Sequence, residues 1–188
     1  MKSLSVLAFV LFALLTGCST PWTVVKQPAP SPISTARTFS VKPLDFSGVS
    51  IGGTPEAAWR VANGEAKSRW WDKDKEVASK HFMTMLTSNT TSGRTFTEAG
   101  GADADAPVVV VRIGDIQSSD LQLTLQVMTP AGEIIEEATM MYTIRGYGVS
   151  ERLRCSGKRL ADLVADYIAK QSTAAGALGA APRVSASK

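Results

Sequence analysis

Two neighbouring stretches near the middle of the chain alternate apolar and polar residues, and this alternation constrains the fold more than any other feature. Leucine or valine occupies every second position from Leu121 to Val127, and glutamine or threonine lies between them. A turn at residues 129–132 follows, and residues 133–145 return with apolar residues on one face. A period of two is that of a strand with one buried face. The sequence therefore predicts a β-hairpin with one face on a core.

Three further segments are predicted to be strands. Residues 107–113 contain four consecutive valines and are apolar on both faces, which is typical of a strand covered on both sides. Residues 38–46 alternate apolar and polar positions and form the first predicted strand. Residues 94–97 are predicted to be a short strand.

Two regions have helical character. The first begins with Thr54 as the expected N-cap and is interrupted at Asn63–Gly64, and a stronger helical pattern then covers residues 73–89. The final helix is expected to be capped by Ser156 or Gly157 and to carry a single apolar stripe.

These elements predict an α/β domain of the α+β type over residues 38–170. We expect a single mixed, mainly antiparallel sheet of four or five strands with helices packed on it. The 188 residues suffice for one domain with tails, and the net charge of +3 is too small to indicate a nucleic-acid partner.

The first 17 residues have the features of an export signal. Lys2 precedes an almost unbroken apolar run that is too short to span a bilayer. The Leu-Thr-Gly-Cys motif at residues 15–18 resembles the lipobox of bacterial lipoproteins. This resemblance implies that residues 1–17 are removed and that Cys18 carries the acyl chains, while Ser19 after it favours the outer membrane. The alternative is a plain secreted protein whose signal ends near a cysteine.

Composition changes on both sides of the predicted domain. Residues 18–37 contain four prolines among small and polar residues, which predicts an extended linker with a reach of about 50 Å. Residues 171–188 are rich in alanine, glycine and serine, and they are predicted to be a disordered tail.

The sequence offers no catalytic set. Hydrolase triads need a histidine, and His81, the only one, lies at the margin of a predicted apolar helix stripe. Glu136 and Glu137 are neighbours in a predicted strand, so they point to opposite faces and cannot act as a glycosidase pair. Ligand spacing for a metal is also lacking. We therefore predict no enzyme activity, no metal and no cofactor.

Aromatic residues flanked by charges form the first candidate surface. Trp70 and Trp71 are adjacent, and Trp59 precedes them by three helical turns if the helix continues. Such residues suit an interface with a partner protein, a glycan or lipid headgroups. The alternative is that one tryptophan belongs to the core while the other covers the helix junction.

A run of basic residues near the last helix forms the second candidate surface, which an anionic partner could bind. Its members are Arg145, Arg152, Arg154, Lys158 and Arg159. Cys155 lies among them and has no intrachain partner once Cys18 is acylated, so it is a small buried residue, a reactive thiol or a cysteine paired with another chain. A merely solvated loop is the alternative for the basic run.

The order of the elements is similar to a group of envelope lipoprotein domains. The group includes the curli-secretion lipoprotein, the amino-terminal domain of TolB and the lipoprotein activators of penicillin-binding proteins. Residues 41–46, residues 108–116 and the turn at residues 129–133 carry the similarity. It implies a partner-binding or scaffolding role without a cofactor.

The sequence therefore predicts a non-enzymatic outer-membrane lipoprotein with a periplasm-facing domain. Its expected partners are the membrane, reached through the lipid, and an envelope protein or peptidoglycan. The alternative is a ligand- or glycan-binding lipoprotein, or an enzyme, that uses the Trp70–Trp71 region.

Overall fold

Eight strands and two long helices make up the part of the chain that the structure describes. The computed structural model describes residues 22–28, 31–90, 93–101, 103–117, 120–143 and 149–179. The strands are β1 Thr23–Lys26, β2 Thr38–Val41, β3 Ser50–Ile51, β4 Thr54–Pro55, β5 Thr95–Glu98, β6 Val108–Ile116, β7 Asp120–Met128 and β8 Ile134–Thr143. The helices are α1 Glu56–Thr87 and α2 Val149–Gly179, and a short 3-10 helix covers Pro32–Ser34.

All the strands belong to one mixed sheet, which confirms the predicted α+β class. The sheet runs in the order β1, β8, β7, β6, β2, β5, with β3 paired to β6 and to β4. Strand β2 is parallel to both β5 and β6, and the other long pairings are antiparallel. The prediction of four or five strands was too low, because β3, β4 and β1 are short segments without a clear alternation.

The predicted hairpin is present as β7 and β8. Leu125 pairs with Ala138, and the odd positions of β7 are buried from Leu121 to Val127. On the other side of β7, Leu125 pairs with Val111 of β6. Because side chains alternate between faces, these strands present one apolar layer to the helices. The periodicity of two identified this part of the core correctly.

The final helix is longer than predicted at both ends. It begins at Val149 rather than near Ser156 or Gly157, and it continues to Gly179 instead of giving way to a disordered tail after residue 170. The alanine-rich sequence beyond Gln171 explains the extension, since alanine has the highest helix propensity. Residues 180–188, the rest of the predicted tail, lie outside the described residues.

The expected linker is largely part of the domain. Strand β1 pairs with β8, and the buried Trp22 donates a hydrogen bond from Nε1 to the carbonyl oxygen of Leu163 at 3.2 Å. Ile33 is fully buried. The proline-rich composition predicted an extended segment, but two apolar side chains and the strand pairing hold it against the sheet. The linker prediction is therefore wrong for the described residues before β2.

The sheet has two distinct ends. We call the end at which β8 finishes and α2 follows the helix-start end, and the end that carries the turn at residues 129–133 the turn end. Read backwards from Lys26 to Thr23, β1 leads toward the helix-start end, since Lys26 pairs with Glu137 and Thr23 with Thr139. Within the described ranges, neither helix has an apolar stretch long enough to cross a membrane.

Candidate functional site

Helix α1 folds back on itself at Gly64. This glycine has φ 77° and ψ 175°, a conformation that L-residues with a side chain rarely adopt. Trp71 Nε1 donates a hydrogen bond to Glu56 Oε1 at 2.8 Å, although the two residues are 15 positions apart. A straight helix would separate them by about 22 Å along its axis. The predicted interruption at Gly64 is thus confirmed, and it creates a helical corner.

One carboxylate fastens this corner. Glu56 Oε1 accepts hydrogen bonds from Trp71, from Lys75 Nζ at 2.8 Å and from Arg60 Nε at 2.9 Å. Arg60 also bonds Asp72 across the corner, from Nη1 to Oδ2 at 3.0 Å. Burial by itself would raise the pKa of Glu56, but the hydrogen bonds from Lys75, Arg60 and Trp71 outweigh it and hold the pKa below its ordinary value of 4.5. Thr54 is not the N-cap, because β4 includes it and helix α1 starts at Glu56.

We expect Glu56→Gln to lower the free energy of unfolding by about 1–3 kcal/mol, because it weakens the hydrogen bonds that three side chains donate to one charged acceptor. The loss should be present above pH ~4.5 and should fade as pH falls through the lower pKa of the folded state, where wild-type Glu56 also becomes protonated. Urea unfolding at pH 7 and pH 3 measures both. Glu65→Gln, which removes an exposed pair with Arg69, is the matched control and should change little. An equal loss in the two variants would contradict the role of the corner.

The three tryptophans of the first candidate surface do not form one exposed surface. Trp71 is 3% exposed, and its ring centroid lies 6.1 Å from that of Trp59 and 6.2 Å from that of Phe46. Trp59 is partly buried in the same cluster. Only Trp70 projects outward, with 62% of its surface exposed, and Lys73 Nζ lies 5.6 Å from its ring centroid. Trp71 is therefore a core residue, and Trp59 lies beside it because α1 bends instead of continuing straight.

The second candidate surface is only partly described. Arg154, Lys158 and Arg159 are exposed on α2. They lie beyond its first turn, since the helix begins at Val149 and not near Ser156 or Gly157 as predicted. Arg145 lies outside the described residues, as do the side chains of Arg152 and Cys155, so the reactive-thiol prediction stays a prediction.

Contacts between the helices bring the two candidate surfaces together. Asp74 is buried on α1, and burial raises its pKa. The positive charges of Arg154 and Lys73 act on the same carboxylate in the opposite sense. Arg154 also places its carbonyl oxygen 3.4 Å from His81 Nδ1. Lys73, which lies beside Trp70 in the first candidate surface, and Arg154 of the second are therefore both close enough to act on one carboxylate. Sequence reasoning treated these features as separate.

Glu136, which the sequence suggested only as half of an excluded glycosidase pair, is a buried carboxylate under α2. Glu136, 1% exposed, accepts a hydrogen bond from Tyr167 Oη at 2.5 Å and another from Ser31 Oγ at 2.6 Å. Glu137, its neighbour, accepts from Gln126 Nε2 at 2.7 Å. Burial, and then the Glu136 carboxylate, raise the pKa of Tyr167 well above its ordinary value of 10. The signal was available, because Glu136 stands at an even position among the apolar residues of β8.

Both helices pack against one face of the sheet. The opposite face has mostly exposed or half-buried side chains, among them Gln122, Thr124 and Met141, and Met141 is 54% exposed. At the turn end a shallow cleft of about 410 Å³ opens between this region and the residues after β5, with Lys42 and Asp103 among its lining residues. Met141 is thus a large exposed apolar side chain on the sheet face that neither described helix covers.

Groups that could support catalysis or bind a metal are scarce in the described part of the chain. No group of three His, Cys, Asp or Glu side chains is arranged there to hold a metal ion. His81 is exposed and contacts a main-chain carbonyl. Cys18, with the rest of the lipobox, lies outside the described residues, so lipidation there stays a prediction.

Comparisons with known proteins give no family. No protein-family model and no curated protein matches the sequence. Two solved structures align with the chain at low similarity. The PelC dodecamer from Paraburkholderia phytofirmans aligns with a TM-score of 0.35 and 14% identity, over 76% of this chain and 95% of that chain. A variant of that dodecamer in a second crystal form aligns with a TM-score of 0.36 and 12% identity, over 77% and 94%. Likeness this low assigns neither a family nor a function.

Proposed function

We propose that this protein is a non-enzymatic outer-membrane lipoprotein whose periplasm-facing domain binds another envelope component during assembly, secretion or cell-wall synthesis. The observation that carries the binding role is the exposed Met141 on the sheet face that neither described helix covers. The lipobox-like motif at residues 15–18 supports the membrane anchor. The alternative, a glycan- or ligand-binding protein or an enzyme built on the Trp70–Trp71 region, has less support, because Trp71 is buried and Trp59 packs against it.

Palmitate labelling tests the anchor. Cells fed with labelled palmitate should yield a labelled wild-type protein and an unlabelled Cys18→Ser variant that keeps residues 1–17. An unlabelled wild-type protein, or one that retains those residues after purification, would overturn the lipoprotein proposal.

Pull-down from detergent-solubilised envelopes tests the binding face. We expect Met141→Asp to reduce recovery of a co-purified envelope component by at least about fivefold, since it replaces the exposed apolar side chain of this face with a charge. Val61→Asp is the matched control, because Val61 is 87% exposed on α1. Trp71→Ala would not be informative, since it removes a core side chain. Equal recovery with Met141→Asp and Val61→Asp would contradict the proposed face.

A further inference from the structure

We propose that the helix-start end of the domain rests directly on an anionic phospholipid bilayer, through Trp70, Lys73 and Arg154. This inference rests on the proposed lipid anchor at Cys18. It replaces the long reach expected from the sequence with close contact between domain and membrane.

The tether between Cys18 and the folded domain is short. Trp22 is buried, hydrogen-bonded to α2 and followed at once by β1, so the domain begins there. Only residues 19–21 separate Cys18 from Trp22. Four Cα–Cα steps span at most about 14 Å. An acylated Cys18 therefore holds Trp22 within about 14 Å of the bilayer, and the headgroup layer itself is several ångströms thick.

The direction of β1 indicates which end of the domain faces the lipid. Followed back toward Cys18, β1 leads to the helix-start end. Trp22 bonds Leu163, and Arg154 lies nine residues earlier on α2, about 13 Å farther along the helix toward its start. Arg154 thus lies nearer the start of α2 than the Trp22 contact by a distance similar to the maximum length of the tether.

The corner of α1 lies at the same end. Trp71 packs on Phe46, which follows the bridge between Asp45 and Arg112, and β4 leads into Glu56 beside the last residues of β6. Trp70 is the exposed neighbour of Trp71 and lies next to Lys73.

The chemistry of this end fits a lipid surface with negative charge. Tryptophan prefers the interface between headgroups and acyl chains, and basic side chains near an anionic surface gain favourable electrostatic energy. Lys73 Nζ lies 5.6 Å from the ring centroid of the exposed Trp70, and the charges of Lys73 and Arg154 both act on Asp74, so two cations belong to this part of the helix pair. The tether length, the direction of β1 and this charge arrangement independently point to the same end of the sheet.

Brominated-lipid quenching of tryptophan fluorescence tests the proposal on the full lipidated protein. Vesicles contain phosphatidylcholine and phosphatidylglycerol, with or without bromine on the acyl chains. We expect bromine to lower wild-type emission by a fraction about twofold larger than in Trp70→Phe. The quenching assigned to Trp70 should fall in Lys73→Gln/Arg154→Gln, in phosphatidylcholine alone and at high salt. Inserting twenty glycine and serine residues after Pro21 should abolish it while the protein stays bound.

Vesicle flotation separates this inference from the proposed function. A protein that does not float with vesicles has no lipid anchor, and the proposed lipoprotein function falls. A protein that floats but shows equal quenching in wild type and Trp70→Phe retains its anchor and overturns only the contact proposed here. Quenching that is unchanged in phosphatidylcholine alone, or after the insertion, also overturns it. The side chains of Trp70, Lys73 and Arg154 are exposed, so their substitution should leave the free energy of unfolding unchanged. Urea unfolding of each variant checks this.

Discussion

Gly157→Val is expected to lower the free energy of unfolding by about 3 kcal/mol or more, and Gly157→Ala by about 1–3 kcal/mol. Gly157 lies where α2 crosses α1. A Cβ atom at this position would clash with the carbonyl oxygen of Ala78 and would lie 3.0 Å from both His81 Cβ and the amide nitrogen of Phe82. Main-chain atoms account for two of these three neighbours, so rotation of a side chain cannot relieve the crowding and the helices must separate.

The direction of the stability change in Gly157→Ala tests whether the two helices are in close contact. In an exposed helix, alanine is more stabilising than glycine by about 1 kcal/mol. Here the steric cost should exceed that gain, and the midpoint of urea unfolding should fall. Lys158→Ala, at the next and exposed position, is the control and should change stability little. If Gly157→Ala raises the midpoint, the close approach of the two helices is not present in solution.

Gly157 also illustrates what local patterns could and could not predict. The sequence pattern favoured a helix cap at this position, because glycine is common at helix ends. The structure uses the glycine for contact between two helices whose sequence positions are about 79 residues apart. Periodicity describes which face of an element is apolar, and it gives no information about the distance to the element that covers that face.

The strands show the same limit of local sequence patterns. Strands β6, β7 and β8 were predicted, because each has enough residues to show its burial pattern, and β7 and β8 are joined by a short turn. Strand β1 was missed, because its four side chains are all exposed and its stability comes from pairing with β8 more than a hundred residues later. The two candidate surfaces were likewise identified one at a time, and only the packing of α2 on α1 brings Lys73 and Arg154 to one carboxylate.

The buried pair of Glu136 and Tyr167 supports the second large prediction. Tyr167→Phe should lower the free energy of unfolding by about 1.5–3 kcal/mol, since it removes a hydrogen bond to a charged acceptor and leaves Glu136 with Ser31 as its remaining hydroxyl donor. Glu136→Gln keeps the shape of the site and should cost less in the Tyr167→Phe background than alone. A double-mutant cycle by urea unfolding measures this coupling, and Tyr142→Phe controls for the loss of a phenol from a half-buried position.

The interaction between Tyr167 and Glu136 should also affect how stability depends on pH in the alkaline range. The pKa of Tyr167 is raised in the folded protein, first by burial and then by the Glu136 carboxylate. Above pH ~10 the unfolded chain loses this proton while the folded protein keeps it, so the unfolded state binds fewer protons and stability falls as pH rises. The stabilisation is fully present below pH ~10. Thermal unfolding between pH 8 and pH 11 should show a steeper decline for wild type than for Tyr167→Phe. Parallel declines would mean that Tyr167 is not held beside a buried carboxylate.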